Sequence, residues 1–247
     1  MSDATKCNTE NWYASWFDTS YYHILYKDRN YREAQIFMDN LTHYLNLPEK
    51  AKVLDLACGK GRHAIYLNQL GYDVIGADLS ENSIAEAQKN ENETLHFVVH
   101  DKREPFDQKF DAIFNLFTSF GYFDCEGDDL KTLSAIKESL SEYGFAVIDF
   151  MNTPHVIANL IPEETKTVDG ITFHIKRFVT DGFIIKEIRF EDQGQSYHFT
   201  EKVRAYTLED FQRMMEETGI YLLDTFGDYK LKKFHKNTSE RLIMIFK

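Results

Sequence analysis

The chain has 247 residues, 43% of them hydrophobic and 15% aromatic, and carries a formal net charge of −12. That length suits one α/β domain with an insertion and a substantial core, and the acidic balance argues against a phosphate backbone as the main partner. The three cysteines, Cys7, Cys58 and Cys125, are widely spaced with no Cys-x-x-Cys, which reads as reduced thiols in a cytoplasmic protein. No apolar run approaches the ~18 residues of a membrane span, and the histidines and cysteines show no metal-ligand spacing.

Residues 8 to 30 are dense in aromatics, among them Trp16, Phe17, Tyr21, Tyr22 and Tyr26. From Tyr31 to Leu47 the apolar residues recur at helical spacing, with Ile36, Phe37, Leu41, Tyr44 and Leu45 on one side, and Pro48 closes the helix. Together these segments are expected to form an N-terminal helical lid over residues 1–48. An alternation then begins. "KVLDLAC" reads as a buried strand, Gly61 to Leu70 as a helix and "DVIGADL" as a second strand. Ser80 to Asn90 reads as a helix with Ser80 at its N-cap. "LHFVVHD", "FDAIFNLF" and "FAVIDFM" follow as three more strands, with a helix from about Asp128 to Ser141 before the last. Strands alternating with helices imply a doubly wound, mostly parallel sheet.

After Pro154 the pattern changes. "GITFHIKRFVT", "FIIKEIRFED" and "SYHFTEKVRAY" are β-branched and aromatic, separated by Asp181-Gly182 and Gln193-Gly194. Such dipeptides between alternating runs mark hairpins, so residues 165–206 are expected to be an antiparallel β insertion after the fifth strand. A helix over Leu208–Thr218 and a final strand pair, "YLLDTFGDYKL" and "RLIMIFK", complete a seven-stranded sheet in a single domain.

The chemistry concentrates where the first strand meets the first helix. "VLDLACGKG" puts Asp55 inside the strand and Gly59 and Gly61 in the turn, at the carboxyl edge where open parallel sheets bind ligands. The third glycine of a dinucleotide fingerprint is absent. The stretch resembles motif I of the class I S-adenosylmethionine-dependent methyltransferases, with Ala57 standing at that motif's first glycine. Further matches fall at successive strand ends. Asp78 ends the second strand, where the family has an acid for the ribose hydroxyls. Asp101 and Lys102 end the third, near the adenine of the family's cofactor, and Asn115 ends the fourth. The resemblance covers about residues 52–150. It implies a Rossmann-like fold, S-adenosyl-L-methionine as cofactor and methyl transfer without a metal. Asp55, Ala57, Gly59, Gly61, Asp78, Leu79, Asp101, Lys102 and Asn115 are then the expected cofactor-binding residues, with Tyr22 and Tyr26 as aromatic faces for the adenosine or the sulfonium.

For the acceptor, "NLFTSFGYF" after the fourth strand lacks the prolines found in many methyltransferases that act on exocyclic amines of nucleic acids and proteins. With the acidic charge, this favours a small-molecule acceptor, methylated on oxygen or nitrogen. Tyr122 and His155, just past the fourth and fifth strands, are the candidate catalytic residues, His155 as a base. The insertion is expected to cover the acceptor pocket with Phe173, Phe190 and Phe199, or alternatively to form a homo-oligomer interface. Rival readings are a non-catalytic cofactor-binding or scaffold protein, an RNA or protein methyltransferase, and an aminopropyl transferase.

Overall fold

The computed structural model describes residues 12–27 and 31–247; Cys7 and the first eleven residues of the expected lid lie outside them. In chain order the elements are α1 (Trp12–Phe17), α2 (Ser20–Leu25), α3 (Tyr31–Leu45), β1 (Lys52–Leu56), α4 (Arg62–Gln69), β2 (Asp73–Asp78), α5 (Glu81–Ala87), β3 (Leu95–Val99), β4 (Phe110–Asn115), α6 (Glu126–Ser139), β5 (Leu140–Met151), α7 (Thr153–Ala158), β6 (Glu163–Val168), β7 (Ile171–Thr180), β8 (Phe183–Asp192), β9 (Gln195–Arg204), α8 (Leu208–Glu217), β10 (Leu222–Phe226) and β11 (Arg241–Phe246).

Seven strands form the main sheet in the order β10-β11-β5-β4-β1-β2-β3. Pairing is parallel from β3 to β5, and β11 runs antiparallel to both of its neighbours. The central strands are buried on both faces, which is why they read as continuous apolar runs. On one face Val53, Val74, Phe97, Phe114 and Ile243 pack with Phe37, Met38 and Leu41 of α3, Ala64 and Leu67 of α4 and Ile84 of α5. On the other, Leu54, Ile113, Ile148 and Met244 pack with Leu133 and Ile136 of α6 and Phe211, Met214 and Met215 of α8. Helix α8 starts on a capping box, Thr207 with Asp210, a device that satisfies two orphan N–H groups.

The insertion is a four-stranded antiparallel sheet, β6-β7-β8-β9. Its first strand, β6, is nearly all polar, with burial only at Lys166 and Val168, so it shows no hydrophobic alternation in the sequence. All three hairpins turn on a residue pair with positive φ, Asp169-Gly170, Asp181-Gly182 and Gln193-Gly194, as a two-residue type I′ turn requires. One face of this sheet is covered by α1 and α2. Trp16 and Leu25 are buried there with Val168, Ile171, Phe173, Ile175, Ile188 and Phe190. Phe173 and Phe190 are therefore core residues beneath the N-terminal helices, not the open pocket walls expected from the sequence. Trp16 also lies 4.5 Å, centroid to centroid, from Phe199.

Among the described residues no helix is long and apolar enough to cross a membrane. Cys58 is a buried free thiol. Cys125 is disulfide-bonded, which corrects the expectation of reduced thiols at that position.

Packing beneath the first turn makes its two glycines unequal. A Cβ on Gly61 would lie 2.5 Å from the Phe97 ring, and Gly61 has φ +81, whereas Gly59, at φ +55, has open space around it. Gly61→Ala should lower unfolding free energy by roughly 2–4 kcal/mol, from overpacking plus left-handed strain. Gly59→Ala should cost only the strain, about 1–2 kcal/mol. Equal losses in urea denaturation of the two variants would contradict this.

Candidate active site at the strand ends

Residues 57–61 wrap back over the end of β2. The N–H groups of Ala57 and Cys58 both donate to the Ala77 carbonyl, at 2.7 and 3.0 Å. Three residues of this turn are left-handed: Ala57 (φ +66), Gly59 and Gly61. Ala57 thus adopts a glycine-like conformation with a Cβ in place, at a cost of about 1–2 kcal/mol. The ring of Phe97 lies under the turn and against Gly76, where an added Cβ would meet it at 2.5 Å. Gly76 and Phe97 support the loop, and neither stands out in the sequence, because their role is visible only once β2 and β3 are paired.

Two carboxylates organise the turn. Asp55, 1% exposed, accepts the Ala64 N–H at 3.1 Å and so fixes the first turn of α4. Asp78 accepts the Gly59 N–H at 2.8 Å on one oxygen and the Ser80 N–H at 2.9 Å on the other. Burial raises both carboxyls. That of Asp55 reaches about 7, against the Ala64 hydrogen bond and with a further push from Asp78. For Asp78 burial outweighs the two backbone N–H groups and the attraction of Lys102. Burial, with Asp55 and Asp78 nearby, also pushes the Cys58 thiol well up, which makes it a packing group and not a nucleophile. Leu79, next to Asp78, keeps a partly exposed side chain.

At the end of β3 Asp101 is held by Arg103. The guanidinium donates through Nε at 3.0 Å and through Nη2 at 2.5 Å, and the Arg103 N–H adds a bond at 3.0 Å. Burial alone would raise the Asp101 carboxyl, but Arg103 outweighs it and holds the group below its ordinary value. Lys102 points the other way and donates to the Ser119 carbonyl at 2.6 Å. At the end of β4 the Asn115 amide donates to the Leu56 carbonyl at 2.9 Å. Its Oδ1 is buried with no hydrogen-bond partner among the described residues, an expensive state for a polar atom unless a ligand meets it.

The loop after β4 is anchored from several elements. Phe117 and Thr118 are left-handed. The Phe117 N–H donates to Asp149 Oδ2 at 2.8 Å, Arg241 Nε donates to Asp149 Oδ1 at 2.8 Å, and Arg241 Nη2 reaches Thr118 Oγ1 at 2.9 Å. Further along, the Gly121 N–H donates to Asp129 at 3.3 Å, and the Tyr206 hydroxyl donates to the same carboxylate at 2.9 Å. Burial raises the Asp129 carboxyl to about 6, with Lys102 and Tyr206 opposing. The partners in these clusters lie far apart in the sequence, and no motif announced them.

The sequence-derived candidates are thus partly assembled. Asp55, Ala57, Gly59, Gly61, Asp78, Leu79, Asp101, Lys102 and Asn115 all lie at the carboxyl edge of β1–β4. Tyr122 lies in the post-β4 loop, with its hydroxyl donated to the Thr118 carbonyl at 2.5 Å. Tyr22 and Tyr26 sit at the interface with the insertion. The Tyr26 hydroxyl donates to Glu201 at 2.7 Å and accepts from Lys186, and Tyr22 packs on Tyr26 at 4.9 Å. Those contacts occupy the two rings with neighbours in the N-terminal helices and the insertion. His155 is on α7, within 3.4 Å of the Asn237 carbonyl and of Asn159, and none of its hydrogen bonds joins it to the strand-end residues. The N-terminal helices reach the crevice at a point not anticipated. Asp18 meets Ser80 and Asn82, and Phe17 lies 5.6 Å from the Tyr122 ring.

Because the folded state raises the Asp55 carboxyl from 3.8 to about 7, the native state binds that proton more tightly than the unfolded chain. The stabilisation it gives is full below about pH 4 and is lost as the pH rises through 7. Asp55→Asn should therefore gain stability relative to wild type between pH 5 and pH 8. Urea midpoints at the two pH values check this, and a difference that stays constant over the window would refute it.

Comparison with known proteins agrees with this geometry. Residues 53–144 match the family model of a methyltransferase domain. A glycine/sarcosine N-methyltransferase from Halorhodospira halochloris is 28% identical over 190 residues, 72% of this chain and 69% of that protein. An S-adenosylmethionine-dependent methyltransferase from Clostridium acetobutylicum superposes with a TM-score of 0.78 at 22% identity, over 97% of this chain and 99% of the other. The sugar N-methyltransferase KedS8 from a Streptoalloteichus species superposes with a TM-score of 0.71 at 18% identity, over 91% of each chain. At these identities the two superpositions speak for the fold alone. The domain match lies across the glycine turn and the strand ends just described, so this chain carries a methyltransferase domain over residues 53–144.

Proposed function

We propose that this enzyme transfers the methyl group of S-adenosylmethionine to a nitrogen of a small-molecule acceptor, in the crevice at the carboxyl ends of β1, β4 and β5. The observation that carries the reading is Asn115 Oδ1, a buried acceptor at the end of β4 that no donor among the described residues meets. The residues present also fit the cofactor. The left-handed turn leaves open space above Gly59, so a ligand can approach the backbone closely.

The cofactor supplies a sulfonium methyl already activated for in-line displacement, so positioning and exclusion of water do most of the remaining work. Asp78 offers the lone pairs not used by Gly59 and Ser80 to the ribose hydroxyls. Asp101 has less to give an adenine amino group, since Arg103 engages both of its oxygens. Asn115 Oδ1 takes an N–H donor. Tyr122 and Phe17 wall the crevice under the N-terminal helices, which serve as its lid. The choice of nitrogen draws on the similarity in sequence to a glycine/sarcosine N-methyltransferase.

Asp78→Ala should weaken S-adenosylhomocysteine binding by about 1.5–3 kcal/mol, the range for hydrogen bonds to a charged group. Calorimetry checks it, and unchanged affinity would remove Asp78 from the site. A mass-spectrometric screen of amino acids, amino sugars and their hydroxyl counterparts should find methyl gained on nitrogen only. Methylation confined to oxygen, or to RNA or protein, would replace this reading.

A further inference from the structure

Lys102 lies just past the end of β3, yet its side chain serves the loop after β4. Its Nζ donates to the Ser119 carbonyl at 2.6 Å. The same ammonium stands 5.1 Å from the centroid of the Tyr122 ring and 4.8 Å from that of Phe123, within cation–π range of both. The Arg103 guanidinium adds a contact to Phe123 at 5.1 Å. The rest of the loop is tied from other directions: by Asp149 and Arg241 on β5 and β11, by Asp129 on α6, and by β9, where the Arg204 N–H donates to the Gly121 carbonyl at 2.8 Å and Lys202 reaches Asp124 at 2.5 Å.

We propose that Lys102 is a positioning residue that clamps residues 116–123 against the β3 side of the crevice, through the Ser119 carbonyl and the faces of Tyr122 and Phe123, and so places Tyr122 at the acceptor end. This rests on the crevice being the site of methyl transfer, as argued above. The clamp needs the charged form, because a neutral amine gives up the attraction to both rings and weakens the bond to Ser119. The groups facing the ammonium are Asp129 from α6, Asp78 from β2, and Asp101 and Arg103 from its own turn. Burial lowers its pKa to about 8, against the pull of the three carboxylates and with Arg103 adding to the fall. The hold is therefore complete near neutrality and is lost as the pH rises through the middle of the alkaline range.

Hydrogen–deuterium exchange on the full chain, with no acceptor added, tests this apart from any activity. At pH 7, Lys102→Met should speed exchange of peptides covering 116–123 by about tenfold. Lys102→Arg, which keeps a donor and a charge that does not titrate in this range, should stay within about twofold of wild type. Peptides covering 53–61 should not change. At about pH 9.5, after correction for intrinsic rates, wild type should approach Lys102→Met while Lys102→Arg stays protected. Equal protection in Lys102→Met and wild type, failure of arginine to restore it, or equal opening of 53–61 would each overturn the proposal. Should Lys102→Met not fold, wild type against Lys102→Arg at pH 9.5 decides the matter, and equal loss of protection in both would overturn it. None of these outcomes depends on which acceptor is methylated, so they stand apart from the acceptor screen.

Discussion

The carboxylate of Asp78 holds the crevice together. It takes one N–H from the glycine turn after β1 and another from the start of α5, so the floor of the site and the helix beside it share one anchor. Two parallel strands fix only the direction in which their following loops leave; something must still hold those loops to one another. A buried acid does this at a cost, since burial disfavours its charge. The cost is acceptable because each oxygen faces a fixed backbone dipole.

The same device recurs across the sheet. Asp55 secures the first turn of α4, Asp149 holds the loop after β4 with Arg241 beside it, and Asp129 holds the far end of that loop. Each is a buried carboxylate at or near the carboxyl edge, accepting from backbone N–H. The carboxyl edge of the sheet is thus built from acceptors whose geometry the fold itself sets.

Much of this was legible in the sequence, and what was not has a common physical cause. The parallel strands announce themselves because both of their faces are buried, and the hairpins because Asp-Gly and Gln-Gly supply positive φ. Asp55, Gly59, Gly61 and Asp78 are legible because the local chain path of β1–α4–β2 alone brings them together. Strand β6 is silent because it is an edge strand with little to bury. Asp149 with Arg241, Asp129 with Tyr206, and Trp16 and Tyr26 with Glu201 are silent because their partners lie between 77 and 185 residues apart. The roles expected of Phe173 and Phe190 failed for a related reason. Alternation showed that one face of the insertion is apolar, and only the tertiary structure shows that α1 and α2 cover it.

That cover joins two segments far apart in the sequence, α1–α2 and β6–β9, into one body. Trp16 and Tyr26 both donate to Glu201, Tyr21 donates to Asp192 at 2.8 Å, and the N-terminal helices also meet the strand-end crevice through Phe17 and Asp18. The insertion and the helices therefore share a fate under change. A substitution that reshapes the insertion also disturbs the N-terminal helices packed on it, so the two cannot diverge independently. Swapping the insertion alone between related enzymes would carry across half of a core. The transferable unit is a discontinuous one, the N-terminal helices together with β6–β9.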